Sequence, residues 1–302
     1  MKDFEYYAPE TLRETVSLLA EKNGDARILA GGTDLIVQLR SKRFETERVI
    51  DIKHVSELNE LSFGNRKGLV IGAGVPCWRI YNYDEVVDRY PGLIDSASII
   101  GGIQIQGRAT LGGNLCNASP SADTTPSLIA HSAVCHIVGP EGKRSMPVEE
   151  FCVAPGKNAL NPGELLVSLQ VPANKKNQGA HYQRFIPRNE MDIAVVGVGS
   201  WVELANRGKE FKKARIALAS VGPTPIFASA ASEALVGQGV GDEAIAAAGE
   251  AAQSVARPIS DMRGPAEFRT HLVGVLVKRT LEGAVARAKG HFVANAIQEA
   301  AG

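Results

Sequence analysis

The sequence predicts an α+β protein of two domains, and three observations lead there. Short apolar runs alternate with amphipathic stretches through the first half of the chain. A polar segment, Pro172 to Gln178, then breaks the pattern. Beyond it, three strand-like runs are followed by alanine-rich helical stretches, the order expected of a small antiparallel sheet covered on one face. With 302 residues the chain also sits where a single core stops growing, at roughly 250–300 residues. We divide it into residues 1–175, with subdomains of about 1–58 and 59–175, and a C-terminal domain of 176–302 holding three antiparallel strands covered by helices.

Each element has a local signal. Pro9 to Asn23 reads as an amphipathic helix, with Leu12, Val16 and Leu19 at helical spacing and Gly24 past its end. Arg27 to Ala30 is a short buried strand running into Gly31-Gly32. A helix follows with Thr33 placed to cap it and Leu35, Ile36 and Leu39 on one face. Val49 to Ile52 and Leu69 to Ala73 read as strands, and Trp78 to Tyr90 as one helix. Ile100 to Pro126 is rich in Gly, Asn, Ser and Thr and poor in regular pattern, and loops of that length inside a compact domain are commonly functional. Ser132 to Val138 and Glu164 to Val171 are strands. After the linker come strands at His181 to Ile186, Ile193 to Leu204 and Arg215 to Ser220, with a hairpin-like turn at Asn206 to Lys209. Phe227 to Leu235, Asp242 to Ala256 and Ala266 to Arg287 suit helices.

Composition excludes several classes of function. The 33 Lys and Arg balance 33 Asp and Glu, so nothing advertises a polyanion binder, and no nucleic acid is expected as a partner. The longest apolar stretch, Ile193 to Val202, contains Gly197, Gly199 and Ser200 and falls far short of the roughly 20 residues that span a bilayer. No integral membrane segment is expected. Met1 to Glu10 carries Lys2, Asp3 and Glu5 and so lacks the charge and apolar pattern of a secretion signal, which predicts a cytoplasmic protein. Cys77, Cys116, Cys135 and Cys152 form no CxxC, and free thiols are the expectation. The six histidines form no motif that nominates a catalytic base.

Glycine placement carries the functional signal. Leu69 to Cys77 imitates a dinucleotide-binding GxGxxG, but Cys77 stands where the third glycine belongs, and a glycine-rich strand end is the better reading. The informative pair is Leu29-Ala30-Gly31-Gly32-Thr33-Asp34-Leu35 and Thr110-Leu111-Gly112-Gly113-Asn114-Leu115-Cys116-Asn117-Ala118-Ser119-Pro120. Backbone N–H groups in such turns can converge on an anion, and the hydroxyls of Thr33, Thr110 and Ser119 add donors without charge. Either loop alone reads as an ordinary turn. Together they suit a dinucleotide pyrophosphate lying between them.

With the intervening Ile100-Gly101-Gly102-Ile103-Gln104-Ile105-Gln106-Gly107-Arg108-Ala109 and with Asp123, these loops resemble the flavin-binding (medium) subunit of the molybdenum hydroxylases. That family includes the medium subunit of carbon monoxide dehydrogenase and its counterparts in xanthine dehydrogenase and 4-hydroxybenzoyl-CoA reductase. The resemblance covers essentially the whole chain. It implies a two-subdomain FAD-binding domain of the vanillyl-alcohol-oxidase type, then a small C-terminal domain. It further implies an electron-transfer subunit in which FAD receives electrons from an iron-sulfur small subunit, after substrate oxidation on a molybdopterin large subunit. A dimer of heterotrimers is the implied assembly, and NAD, quinone or another acceptor takes the electrons.

The resemblance also assigns residues. Leu29 to Leu35 and Thr110, Gly113 and Asn114 would bracket the pyrophosphate, with Asn117, Ser119 and Asp123 along the ribityl and adenosine portions. Ile100 or Gly101 would approach the ring system, and Leu160 would lie beside either the adenine or the dimethylbenzene side. Across the linker, Tyr182-Gln183-Arg184-Phe185 and the following stretch to Asp192 resemble the segment facing the isoalloxazine, with Arg184 where Lys is common. Tyr182 would shield a ring face, and Arg184 would supply a fixed cation favouring the anionic reduced flavin. Thr33 stands where covalent relatives place histidine, so noncovalent FAD is expected. With only Cys135 and Cys152 between Asp123 and Leu160, no iron-sulfur cluster and no metal are expected in this chain. Two rival readings remain at this point: a stand-alone flavin oxidoreductase of the same fold, and a non-catalytic nucleotide-binding assembly module.

Overall fold

The computed structural model describes residues 2–294 apart from 23, 24, 189 and 292. The chain opens with β1 (Glu5–Tyr7), α1 (Leu12–Glu21), β2 (Ala26–Leu29), α2 (Leu35–Arg40) and β3 (Arg48–Asp51). The strands form a parallel sheet in the order β1-β3-β2. Thr11 caps α1, its hydroxyl accepting from the Glu14 N–H at 3.2 Å. The expected end of that helix, Asn23 with Gly24, lies outside the described residues. Thr33 does not cap α2. Asp34 holds the N-cap position without a side-chain cap bond, which leaves the Thr33 hydroxyl free for another use.

The second region begins with β4 (Leu61–Gly64) and β5 (Gly68–Gly72) and continues through α3 (Cys77–Tyr81), α4 (Asp84–Arg89) and α5 (Pro91–Ala97). The single helix expected over Trp78 to Tyr90 is therefore two. Asn82 separates them, its side-chain amide donating to the Trp78 carbonyl at 2.7 Å in competition with the helical ladder. The stretch from Ile100 to Pro126, expected to be largely irregular, holds α6 (Ile103–Gln106), α7 (Leu111–Cys116) and the start of α8 (Thr124–Ala130). These helices are too short and too rich in small residues to show helical periodicity. Then come β6 (Val134–Gly139), β7 (Gly142–Pro147), the small hairpin β8 (Cys152–Ala154) and β9 (Lys157–Asn158), and β10 (Leu165–Val171). Strands β4-β5-β10-β6-β7 form an antiparallel sheet, with β10 buried between β5 and β6.

The C-terminal region contains β11 (Gln178–Phe185), β12 (Val196–Ala205), β13 (Glu210–Ala219) and β14 (Ile226–Phe227), antiparallel in that order. Helices α9 (Ser229–Glu233), α10 (Asp242–Val255) and α11 (Ala266–Ala288) follow. The three expected strands gain a two-residue fourth, because Phe227 pairs with Ala217 on the sheet edge instead of opening a helix. Glycine lets α11 approach the sheet closely: a Cβ on Gly179 would overlap the Ala284 carbonyl, and one on Gly283 would overlap the His181 ring.

Two buried apolar clusters result. One centres on Ile50, Leu69, Ile71, Leu93 and Leu169, the other on Val198, Ile216, Leu276 and Leu281. Polar contacts join them. Arg287 on α11 forms a bidentate pair with Asp95 on α5, at 2.6 and 3.0 Å. Arg215 on β13 reaches Glu149 at 2.7 Å and the Ile129 carbonyl at 2.9 Å. Among the described residues, no helix is long and apolar enough to cross a membrane.

Candidate functional site

The first glycine loop rests on the backbone that leads into the second. The backbone of Gly31 lies so close to Arg108 that a Cβ would overlap the Arg108 carbonyl oxygen. The Arg108 Nε in turn donates to the Gly31 carbonyl at 3.4 Å. Gly32 takes φ 79°, the left-handed region that favours glycine, and turns the chain from β2 into α2.

The second loop hangs from the end of β5. Pro76 bridges to Thr110, and the Cys77 N–H donates to the Ala109 carbonyl at 2.8 Å. A Cβ on Gly112 would stand 2.6 Å from the Ala73 Cα, so only glycine permits this seating. Gly72 and Gly74 of the false GxGxxG have a packing role, lying against the Leu58 backbone.

Between the loops runs a cleft of about 720 Å³, within the range of small-molecule and cofactor sites. It gathers Ala30, Gly31, Gly32, Thr33, Asp34, Leu35, Ile100, Thr110, Gly113, Asn114, Asn117, Ser119 and Leu160 from the sequence-derived set. The helices α2 and α7 both start at its wall, presenting first-turn N–H groups that have no partner within the helix. Thr110 caps α7 by accepting from the Gly113 N–H at 2.8 Å, which leaves its own hydroxyl proton to donate. The Asn114 Oδ1 accepts from the Thr124 hydroxyl at 2.7 Å, so its amide N–H groups remain available. The Asn117 Oδ1 accepts from the Gln38 side chain at 3.0 Å, tying the two subdomains across the cleft.

Sequence reasoning missed part of the lining, Gln38, Arg43 and Phe44, whereas Asn158 and Asn161 flank Leu160 in the stretch Gly156 to Glu164 that resembles a contact loop of the family. The Asn158 amide holds the Cys116 carbonyl at 2.8 Å and its oxygen accepts from the Leu160 N–H at 3.1 Å, which places the Leu160 loop. No spacing rule could nominate Arg43 or Phe44, since they follow the last turn of α2 and reach the cleft only through the fold. Crowding in the cleft pushes the Asp34 carboxyl above its ordinary value, with the Arg43 guanidinium opposing it. Burial pushes the Cys116 thiol up to about 12, so it is a protonated, unreactive neighbour at neutral pH.

Six sequence-derived residues stand outside the cleft lining. Leu29 lies beneath the first loop, where its side chain meets the Gly32 turn. Gly101 accepts from the Met191 N–H at 3.2 Å. Tyr182 is 3% exposed and lies outside the lining of this cleft. Its hydroxyl donates to Asp123 at 3.2 Å, and the Arg184 Nη1 donates to the other Asp123 oxygen at 2.7 Å. Asp123 and Arg184 are therefore paired with each other. Burial raises the Asp123 carboxyl, with Arg184 and Tyr182 pulling it back. Asp192 pairs with Arg188 at 3.4 Å and accepts from its neighbour's backbone N–H at 2.9 Å. All four cysteines are free, and no group of three or more His, Cys, Asp or Glu among the described residues could hold a metal ion.

Residues 2–174 match the family described as the FAD binding domain in molybdopterin dehydrogenase, and residues 181–284 match the CO dehydrogenase flavoprotein C-terminal domain. The chain belongs to the FAD-binding subunits of the molybdenum hydroxylases. Among its relatives in this family is the xanthine dehydrogenase FAD-binding subunit of Escherichia coli O157:H7, 32% identical over 96% of this chain and 99% of the relative. The carbon monoxide dehydrogenase medium chain of Hydrogenophaga pseudoflava is 32% identical over 94% of this chain and 98% of its own length. A solved structure of carbon monoxide dehydrogenase from Hydrogenophaga pseudoflava, lacking the Mo-pyranopterin moiety of its molybdenum cofactor, superposes with a TM-score of 0.90 at 33% identity. That match covers 95% of this chain and 98% of the solved one. As a member of this family the chain is an oxidoreductase subunit. Its cleft suits FAD, because the starts of α2 and α7 and the uncharged donors Thr33, Thr110, Asn114 and Ser119 line it together with the Arg43 guanidinium.

Proposed function

We propose that the cleft between the glycine loops holds FAD noncovalently, with the diphosphate bracketed by residues 30–35 and by Thr110, Gly113 and Asn114. The observation that supports this reading is that Gly31, Gly112 and Gly113 all line one cleft at whose wall two helices begin. In this reading Thr33, Thr110, Ser119 and the Asn114 amide donate to the anionic and ribityl oxygens, while Ile100 offers an apolar wall to the ring. Leu160 packs beside the cofactor, and Asn117 keeps the subdomains joined through Gln38. Thr33 and the protonated Cys116 give no nucleophile for a covalent link. Bound FAD supplies the ability to take electrons singly and release them as a pair.

The partners we propose are an iron-sulfur small subunit and a molybdopterin large subunit, assembled as a dimer of heterotrimers in the cytoplasm, with the boundary between this chain's own two domains at residue 175. Electrons would pass from the iron-sulfur clusters through FAD to NAD, quinone or another acceptor. Relatives named for xanthine and for carbon monoxide are equally similar to this chain, which supports a substrate chosen on another subunit. The test is the visible spectrum of the purified chain after incubation with FAD and desalting, with the chromophore then released by heat. Stoichiometric, releasable FAD is expected. A folded, colourless protein would defeat the reading.

A further inference from the structure

Four charged side chains line the cleft: Arg27, Asp34, Arg43 and Glu164. Two of them are engaged. The Glu164 carboxylate accepts two bonds from Arg144, at 2.7 and 2.6 Å, and the Arg27 guanidinium lies over the Phe44 ring, 4.9 Å from its centroid. Arg43 is different, since its side chain makes no hydrogen bond or ion pair among the described residues. Its backbone is nevertheless fixed. Helix α2 ends with the Lys42 N–H on the Leu39 carbonyl at 3.3 Å and the Arg43 N–H on the Gln38 carbonyl at 3.0 Å, with Lys42 at φ 56°. That pair of bonds around a left-handed residue is a Schellman ending, and it holds Arg43 at the cleft. From there the guanidinium reaches the other subdomain: its Nη2 stands 3.8 Å from the place a Cβ on Gly156, in the β8–β9 turn, would occupy. Asp34 lines the same cleft without a side-chain cap bond, and the Arg43 charge acts on its carboxyl.

We propose that Arg43 is the counter-cation of this cleft, a binding residue that balances the charge of an organic diphosphate held there and offsets Asp34 while the cleft is empty. Uncharged hydroxyl, amide and backbone donors orient a diphosphate, but they do not neutralise it. A carboxylate in the same lining opposes its entry. Arginine fits the task because its planar fork keeps its charge at any working pH and can donate to two phosphate oxygens together. That the diphosphate belongs to FAD rests on the function proposed above; the charge balance of the cleft does not.

The test uses the full chain and four variants: Arg43→Gln, Arg43→Lys, Asp34→Asn and, as a control, Arg66→Gln, an exposed arginine between β4 and β5 outside the cleft lining. FAD binding is followed by flavin fluorescence, and ADP, which carries a diphosphate without flavin, by calorimetry. Arg43→Gln should weaken both ligands about fivefold in low salt. The deficit should fade in about 1 M salt, where charges are screened beyond roughly 3 Å. Arg43→Lys should recover part of the loss, Asp34→Asn should tighten both ligands, and Arg66→Gln should match the parent. Unchanged affinity in Arg43→Gln, a loss equalled by Arg66→Gln, or weaker binding in Asp34→Asn would overturn the counter-cation and leave the flavin reading standing. A parent chain that binds ADP but not FAD would sink the flavin reading, and the ADP affinities would then decide Arg43. A parent that binds neither would overturn both.

Discussion

Gly31 has no room for a methyl group, and that fact separates the residues that build the cleft from those that only line it. Gly31→Ala must push the first loop off the Arg108 carbonyl, costing about 1–3 kcal/mol and opening the place where the diphosphate would lie. Gly32→Val meets φ 79° as well as the Leu29 and Ile36 side chains at 2.9 and 3.0 Å. Gly113→Val crowds the Thr110 hydroxyl at 2.9 Å and breaks the cap of α7. All three should lose FAD after desalting. Gly107→Ala, with open space around it, should keep both FAD content and melting temperature. Paired glycines with hydroxyl neighbours are visible in a sequence because few other residues tolerate such backbone. The fate of Tyr182 and Arg184 was not visible. Their partner, Asp123, lies some sixty positions away, and only the folded chain shows that these three side chains satisfy one another.

Among the elements, α5, β11 and α11 meet at a buried ion pair. Arg287 pairs with Asp95 through two bonds and also donates to the Ala180 carbonyl at 2.7 Å. Burial pushes the Asp95 carboxyl up and Arg287 draws it back, so the pair survives as a pair. Arg287→Met or Asp95→Asn, each leaving one partner stranded, should cost about 3–5 kcal/mol in chemical denaturation. The double variant should lose less than the sum, and strict additivity would show that the two side chains do not act together. Helices such as α11 and strands such as β10 were readable from periodicity. The break at Asn82 and the one-turn helices between Gly102 and Cys116 were not, because a side-chain bond and a threonine cap set their limits instead of an apolar stripe.

At the scale of the whole molecule, acid should loosen the joint between its two cores. His131 and His181 flank that joint, and burial lowers both to about 4. The His131 Nδ1 faces the Ser127 carbonyl at 2.8 Å, so the neutral ring carries its proton there. An unfolded chain protonates these rings near pH 6.5 and the folded chain resists until about 4. The unfolded state therefore binds more protons across that window, and stability falls as pH drops from 6.5 toward 4. Urea midpoints measured between pH 7.5 and 4.5 should decline in the parent and flatten in a His131→Gln, His181→Gln double variant. The two-domain order was legible from the linker and the change of pattern after it, but the way the cores grip each other was not, since it depends on Asp95, Arg215 and Arg287 meeting partners far along the chain. The same long reach governs how the cleft comes into being. Its walls run from Leu19 to Leu166, and Gly31 finds its seat only on residue 108. A ribosome adding about 5–20 residues each second leaves Gly31 waiting several seconds or more for Leu166. A flavin held in this cleft cannot template the first glycine loop before Leu166 has been made, so loading follows synthesis of both subdomains.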